Sequence, residues 1–239
     1  MSAPTPAASP RPFALDAQVC SGIRPMQNRD AARVAELHHA AMGSSLWARL
    51  GLPFLTELYK GLIDSPHFLG FVFEEAGDEA GDVGVIRGFI AGSTDASRMM
   101  SEVFKSRFLV LGAVAVPGVM RQPSVLKKLA QTARYFAVSD DDDLDVPAES
   151  LFCSFEPQLR GRRISGHVNK YLFDDLLARG HRFVKVTTET DNEGANRQLL
   201  SWGFEDRGRF SFYGKEMVRY VLDLDASARV DAVSRHPAV

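Results

Sequence analysis

The stretch from Ser150 to Phe204 constrains the fold most, because it alternates extended and helical segments with few residues between them. Leu151–Phe155 reads as a strand, and Glu156-Pro157-Gln158 ends it. Arg160-Gly161-Arg162-Arg163-Ile164-Ser165-Gly166 then leads straight into a helix, with apolar Ile164, Val168, Tyr171, Leu172, Leu176 and Leu177 at helical spacing. Gly180 suits the position just past that helix. Phe183–Thr188 alternates as a strand does. Glu193–Trp202 reads as a short helix capped by Asn192, and Gly203-Phe204 turns into another strand. Tyr213–Leu224 is the expected last strand.

Upstream, Val19–Met26 reads as a short first strand. Asn28 or Asp30 can cap a helix through Ala31, Val34, Ala35, Leu37, Ala41 and Met42. Ser44 or Ser45 can start a second helix running through Leu46, Leu50, Phe54, Leu55, Leu58 and Leu62. Phe68–Glu75 and Val83–Gly92, joined by a turn at Gly77–Asp82, read as an antiparallel hairpin. Thr94–Ala137 is expected to be mostly helical, with breaks at Gly112, Pro117-Gly118 and Pro123; Ser139–Asp145, with five Asp in seven residues, is expected to be a solvated loop. The order of elements implies an α/β (α+β) fold: a mixed, mostly antiparallel central sheet with helices on both faces.

The chain has 239 residues, of which 45% are hydrophobic and 24% charged, enough for a sizeable core without disulfide or metal support. A formal charge of −2 excludes a strongly basic nucleic-acid binder and an acidic disordered chain. Cys20 and Cys153 lie far apart with no metal-ligand spacing around them, so both are expected as reduced thiols in a cytoplasmic protein. Phe108–Met120 is too short to span a bilayer, so no transmembrane segment is expected. The expected organisation is a disordered tail over 1–18, one domain over 19–224 with a mainly helical insertion at 94–149, and a C-terminal tail over 225–239.

A strand ending in an Arg-rich, Gly-containing turn that opens a helix is a candidate anion site. Free backbone amides and the positive helix end both favour phosphate, and Arg160, Arg162 and Arg163 add charge for phosphate oxygens. The turn is neither a Walker A loop nor Gly-x-Gly-x-x-Gly. A solvated basic helix start is the competing reading of this segment alone.

Taken together, these features resemble the Gcn5-related N-acetyltransferases. That family's acyl-CoA loop reads Arg/Gln-x-x-Gly-x-Gly/Ala after a strand ending like Val-Asp-Pro. Here Phe155-Glu156-Pro157 precedes Arg160-Gly161-Arg162-Arg163-Ile164-Ser165. Downstream, Asn192, Ala195, Gly203 and Phe204 match the family's Asn-x-x-Ala…Gly-Phe spacing, and Ile23-Arg24-Pro25 and Gly88–Gly92 also look typical. The resemblance implies acyl transfer, with acetyl-CoA as co-substrate and an amine as acceptor. By the same resemblance Ser154, Phe155, Arg160, Gly161, Arg162, Arg163, Ile164, Ser165, Asn192 and Asn196 would hold the CoA. The amine would attack the thioester directly, with a backbone amide of the first strand stabilising the developing charge.

Three positions depart from the family pattern. Arg163 and Ser165 stand where glycine or alanine is usual, and Leu199 stands where many relatives carry a proton-donating tyrosine. Water or Tyr213 is the substitute candidate acid, and Glu156, ahead of Glu189 and Asp191, the candidate base. His167 could touch phosphate or ribose. The six histidines form no cluster, so no metal is expected. The amine wall is expected from Ser44–Ile63, with Trp47, Phe54 and Tyr59, and from the insertion. Small-molecule or peptide amines are the expected acceptors, with no nucleic acid and a possible homodimer. The alternative is an acyl-CoA-binding module of the same fold without turnover.

Overall fold

A computed structural model describes residues 12–43, 45–77, 84–123, 146–212 and 214–231 of the chain. Seven strands form one sheet: β1 (Ile23–Pro25), β2 (Phe68–Glu75), β3 (Val85–Ser93), β4 (Glu149–Phe155), β5 (Phe183–Glu189), β6 (Glu205–Phe212) and β7 (Lys215–Asp223). Their spatial order is β1-β2-β3-β4-β5-β7-β6. Every neighbouring pair is antiparallel except β4 and β5, which run parallel.

The helices are α1 (Ala17–Cys20), α2 (Ala31–Met42), α3 (Leu46–Arg49), α4 (Leu52–Ile63), α5 (Ala96–Ser106), α6 (Phe108–Arg121), α7 (Ile164–Ala178) and α8 (Glu193–Trp202). Two apolar cores lie against the sheet. One packs α7 and Trp202 of α8 onto Phe71, Phe73, Ile90, Val184 and Tyr220. The other packs α2, α4 and α5 onto Val72, Phe89 and Ala91. Neighbouring strand residues thus feed opposite cores, as the two-residue period requires.

Several local expectations are corrected. Of Val19–Met26, only Ile23–Pro25 is strand, because Asp16 accepts a hydrogen bond from the Gln18 amide and caps α1 instead. Neither Asn28 nor Asp30 caps α2 through its side chain. The buried Asp30 carboxylate accepts from Arg24 at 2.7 and 2.9 Å and from the Gln27 amide at 2.8 Å, while Asn28 donates to Asp64. Ser45 does cap a helix, but that helix divides into α3 and α4 at Gly51, whose φ of +98° places it in the left-handed region. The break in the 94–123 region falls at Arg107, not at Gly112 or Pro117, which lie inside α6. Gly118 serves close packing: a Cβ there would come within 2.6 Å of the Leu50 carbonyl oxygen. The Asp-rich run Ser139–Asp145 lies outside the described residues, as does most of the Gly77–Asp82 turn.

Residues expected in the loose tails pack on the domain where they are described. Phe13 stacks on Trp202 at 5.4 Å and meets His167 edge-on at 5.0 Å. At the other end, the Asp231 amide donates to Asp174 at 2.9 Å, and Lys170 donates to the Arg229 carbonyl at 2.8 Å.

Candidate functional site

The site begins where the parallel pair comes apart. β4 and β5 share one register pair, Glu149 with Lys185, supported by the Lys185 amide donating to the Ala148 carbonyl at 3.0 Å. Beyond that point β5 follows β7 along its whole length, while β4 stays with β3. Among the described residues, the β4 edge facing β5 therefore has no ladder partner from Ser150 onward, so its backbone groups are open to another partner. The β3–β4 register also slips: Ala91 faces Phe152 and Gly92 faces Ser150, leaving Leu151 as an extra residue. Such a bulge bends a strand and redirects its groups.

Side chains of β4 alternate about this cleft. The Ser154 hydroxyl donates to the Leu37 carbonyl at 3.2 Å, so its side chain is committed to α2 and only its backbone remains for the cleft. The Phe155 ring lies over Gly88, where a Cβ would come within 2.1 Å of it. The Cys153 thiol is exposed, although surrounding protein pushes its pKa up to about 12. Water reaching the thiol tempers that shift.

At the end of β4 the chain makes a short turn, Pro157–Leu159, and then the Arg160–Arg163 loop opens α7. The first turn of α7 leaves amide N–H groups without partners inside the helix, at its positive end. Gly161 takes φ +81°, and nothing lies within 4 Å of where its Cβ would be. Arg163 takes φ +59°, the left-handed conformation a glycine would adopt without steric cost. Its guanidinium lies 5.1 Å from the Phe13 ring centroid, and its carbonyl faces His167 Nδ1 at 2.9 Å. Arg162 is tied to Glu75 at 2.7 Å and holds that carboxyl below its usual range. Arg160 is exposed and makes no ion pair among the described residues. Ile164 is core, and the Ser165 carbonyl accepts from Asn169 at 2.7 Å.

Across the cleft, Asn192 accepts from the Ala195 amide at 3.2 Å and caps α8. Asn196 donates to the Glu189 and Thr190 carbonyls at 3.2 and 3.1 Å, while its Oδ1 is buried with no partner among the described residues. A buried acceptor left open beside the end of β5 fits a ligand that brings an amide donor.

The remaining predicted residues fall elsewhere or do other work. Both Glu156 oxygens are engaged: one accepts from Arg33, the other from Arg87 at 3.0 Å and from Gln158 at 2.6 Å. Tyr213 lies outside the described residues. Leu199, at the position where the family resemblance expects a tyrosine, packs in the core beside α7 and Trp202. His167 is buried, with Nε2 accepting from the Asp16 amide at 2.9 Å, and so does not face a phosphate. Phe54 and Tyr59 are core residues rather than wall; Trp47 stacks on Phe54 and Phe104. No group of three metal-ligating side chains occurs among the described residues. Sequence reasoning missed Arg33 and Arg87, which converge on Glu156 from a helix and a strand, and Phe13, which the tail composition concealed.

No protein-family model matches the sequence, and no curated protein matches it. Solved structures do. An N-acetyltransferase from Staphylococcus aureus Mu50 superposes with TM-score 0.52 at 15% identity, over 84% of this chain and 97% of that one. Arabidopsis thaliana NAA60 in complex with acetyl-CoA gives 0.53 at 12% identity, over 85% and 98%. Salmonella typhimurium yncA with acetyl-CoA gives 0.50 at 16% identity, over 88% and 97%. The mixed seven-stranded sheet with its diverging central pair is therefore the fold of the Gcn5-related N-acetyltransferases.

Proposed function

We propose that this protein is an acyl-CoA-dependent N-acyltransferase that moves an acetyl group from acetyl-CoA to a primary amine by direct attack in a ternary complex. The observation that carries the reading is the diverging β4–β5 pair with the Arg160–Arg163 loop and the start of α7 at its mouth. The loop amides and Arg160 would hold the pyrophosphate, the open edge of β4 and Asn196 Oδ1 the pantetheine amides. Acetyl-CoA in NAA60 and yncA supports this assignment. In the reaction the amine nitrogen bonds to the acyl carbon, the carbon–sulfur bond breaks, and the amine gives up a proton as the thiolate gains one. A β4 amide would stabilise charge on the carbonyl oxygen.

Within this reading, Glu156 is a positioning residue that fixes the end of β4 to α2 and β3 through Arg33 and Arg87. Tyr213 is the proposed donor to the thiolate; its replacement by Phe should lower kcat and leave the KM for acetyl-CoA in place. Isothermal calorimetry tests the assignment itself. Acetyl-CoA should bind the wild type, and Arg160→Ala should weaken it about tenfold, the loss of one charge-assisted phosphate contact. No binding at millimolar ligand refutes the reading. Binding without thiol release across an amine panel favours the non-catalytic module, which Leu199 in the core also favours.

A further inference from the structure

Helix α6 is apolar almost all round but only one side of it is buried. Leu111 and Gly118 face the core, with Val114, Ala115 and Val119 partly covered. The opposite face carries Phe108, Leu109, Gly112, Ala113, Val116 and Met120, with Phe108 71%, Leu109 82% and Met120 78% exposed. A soluble protein rarely leaves a continuous apolar face of this kind uncovered, and a helix apolar on all sides is ordinarily buried in something. No single described helix is long and apolar enough to cross a membrane, but α5 and α6 together have the composition, bent 86° from each other.

We propose that the outer face of α6 is a docking surface for an anionic lipid membrane, on which the helix lies in the plane of the interface. Charge selects this partner. The whole chain is net −2, yet residues 96–121 hold four basic side chains and one acid, Glu102. Arg98 is paired with Glu102, and Arg107 with Glu57 and Asp64. Arg121 is exposed at the C-terminal end of α6 and Lys105 in the last turn of α5, just before α6 begins; neither makes an ion pair among the described residues. An apolar helix face flanked by open cations is the pattern of a peripheral membrane contact. A two-fold pairing of α6 with its own copy would instead bring four like charges around one apolar seam, which argues against a second copy as the occupant.

Co-sedimentation with vesicles tests the surface, using the full chain without CoA, so the outcome is independent of the acyltransferase reading. The wild type should bind phosphatidylcholine vesicles containing phosphatidylglycerol and bind pure phosphatidylcholine much less. Leu109→Glu and Met120→Glu, at exposed positions, should each reduce binding about tenfold or more. The pair Lys105→Glu and Arg121→Glu should erase the preference for anionic vesicles. Absence of vesicle binding by the wild type overturns the proposal. So does sedimentation as a dimer that Leu109→Glu dissociates, which would assign the face to a second copy. A lowered melting temperature of free Leu109→Glu overturns it too, because the face would then be covered by the chain itself.

Discussion

His38 on α2 is fully buried, its Nδ1 2.8 Å from the Tyr59 hydroxyl and its ring 4.8 Å from that of Phe152 on β4. Its Nε2 has no partner among the described residues. Burial, with a smaller contribution from His39, pushes the His38 pKa down to about 4. The unfolded chain titrates near 6.5, so between these values it binds a proton that the folded protein refuses. Stability is therefore full above about pH 6.5 and falls as the solution is acidified towards 4. The expected loss is about 3 kcal/mol across that window. Urea unfolding at a series of pH values should show it, and His38→Gln should flatten the slope; an unchanged slope would locate the acid sensitivity elsewhere. Nothing in the local pattern of residues marks this pair beyond two aromatic rings at helical positions, because burial of a polar group depends on what packs over it. At Arg163 the residue scale was more legible. The family resemblance already marked a non-glycine in a glycine's place, and the structure adds that its backbone is left-handed and its guanidinium faces Phe13.

At the scale of elements, strands and helices followed the periodicity closely where both cores demanded it. Phe68–Glu75 and Glu193–Trp202 match residue for residue. The failures sit where tertiary contact overrides local propensity. Pro117 lies inside α6, where its missing N–H leaves the carbonyl of Ala113, four residues back on the outer face, without its helical hydrogen bond. Gly118, a breaker by composition, is retained because only glycine fits against the Leu50 backbone. Gly88 is the equivalent at the cleft, where β3 must pass beneath the Phe155 ring. Gly88→Ala should displace that ring and cost about 1–3 kcal/mol. Chemical denaturation measures the loss. Because the ring belongs to the end of β4, calorimetry should show weakened acetyl-CoA binding as well; undiminished affinity would detach Phe155 from the proposed site.

At the scale of the whole molecule, both ends of the described chain are strapped across α7. The N-terminal strap uses Phe13 against Trp202 and the Asp16 amide against His167; the C-terminal strap uses the buried Lys170–Asp174 pair. Phe13→Ala should destabilise the protein by about 2 kcal/mol, a half-buried aromatic losing part of a full core contribution. A melting temperature equal to that of the wild type would show the strap to be incidental. Such straps escaped the sequence because Pro, Ala and Ser signal low intrinsic order, and one phenylalanine does not reveal its docking site. By itself the sequence determined the alternation of elements, the two-faced sheet and the loop-to-helix junction, since hydrophobic period, capping residues and glycine placement act over a few neighbouring positions. Only the tertiary structure decided that β4 and β5 part just beyond Glu149 and Lys185, that Glu156 is held between two guanidiniums and that one face of α6 stays uncovered. Those features depend on which distant segments meet, and neither periodicity nor propensity encodes that pairing locally.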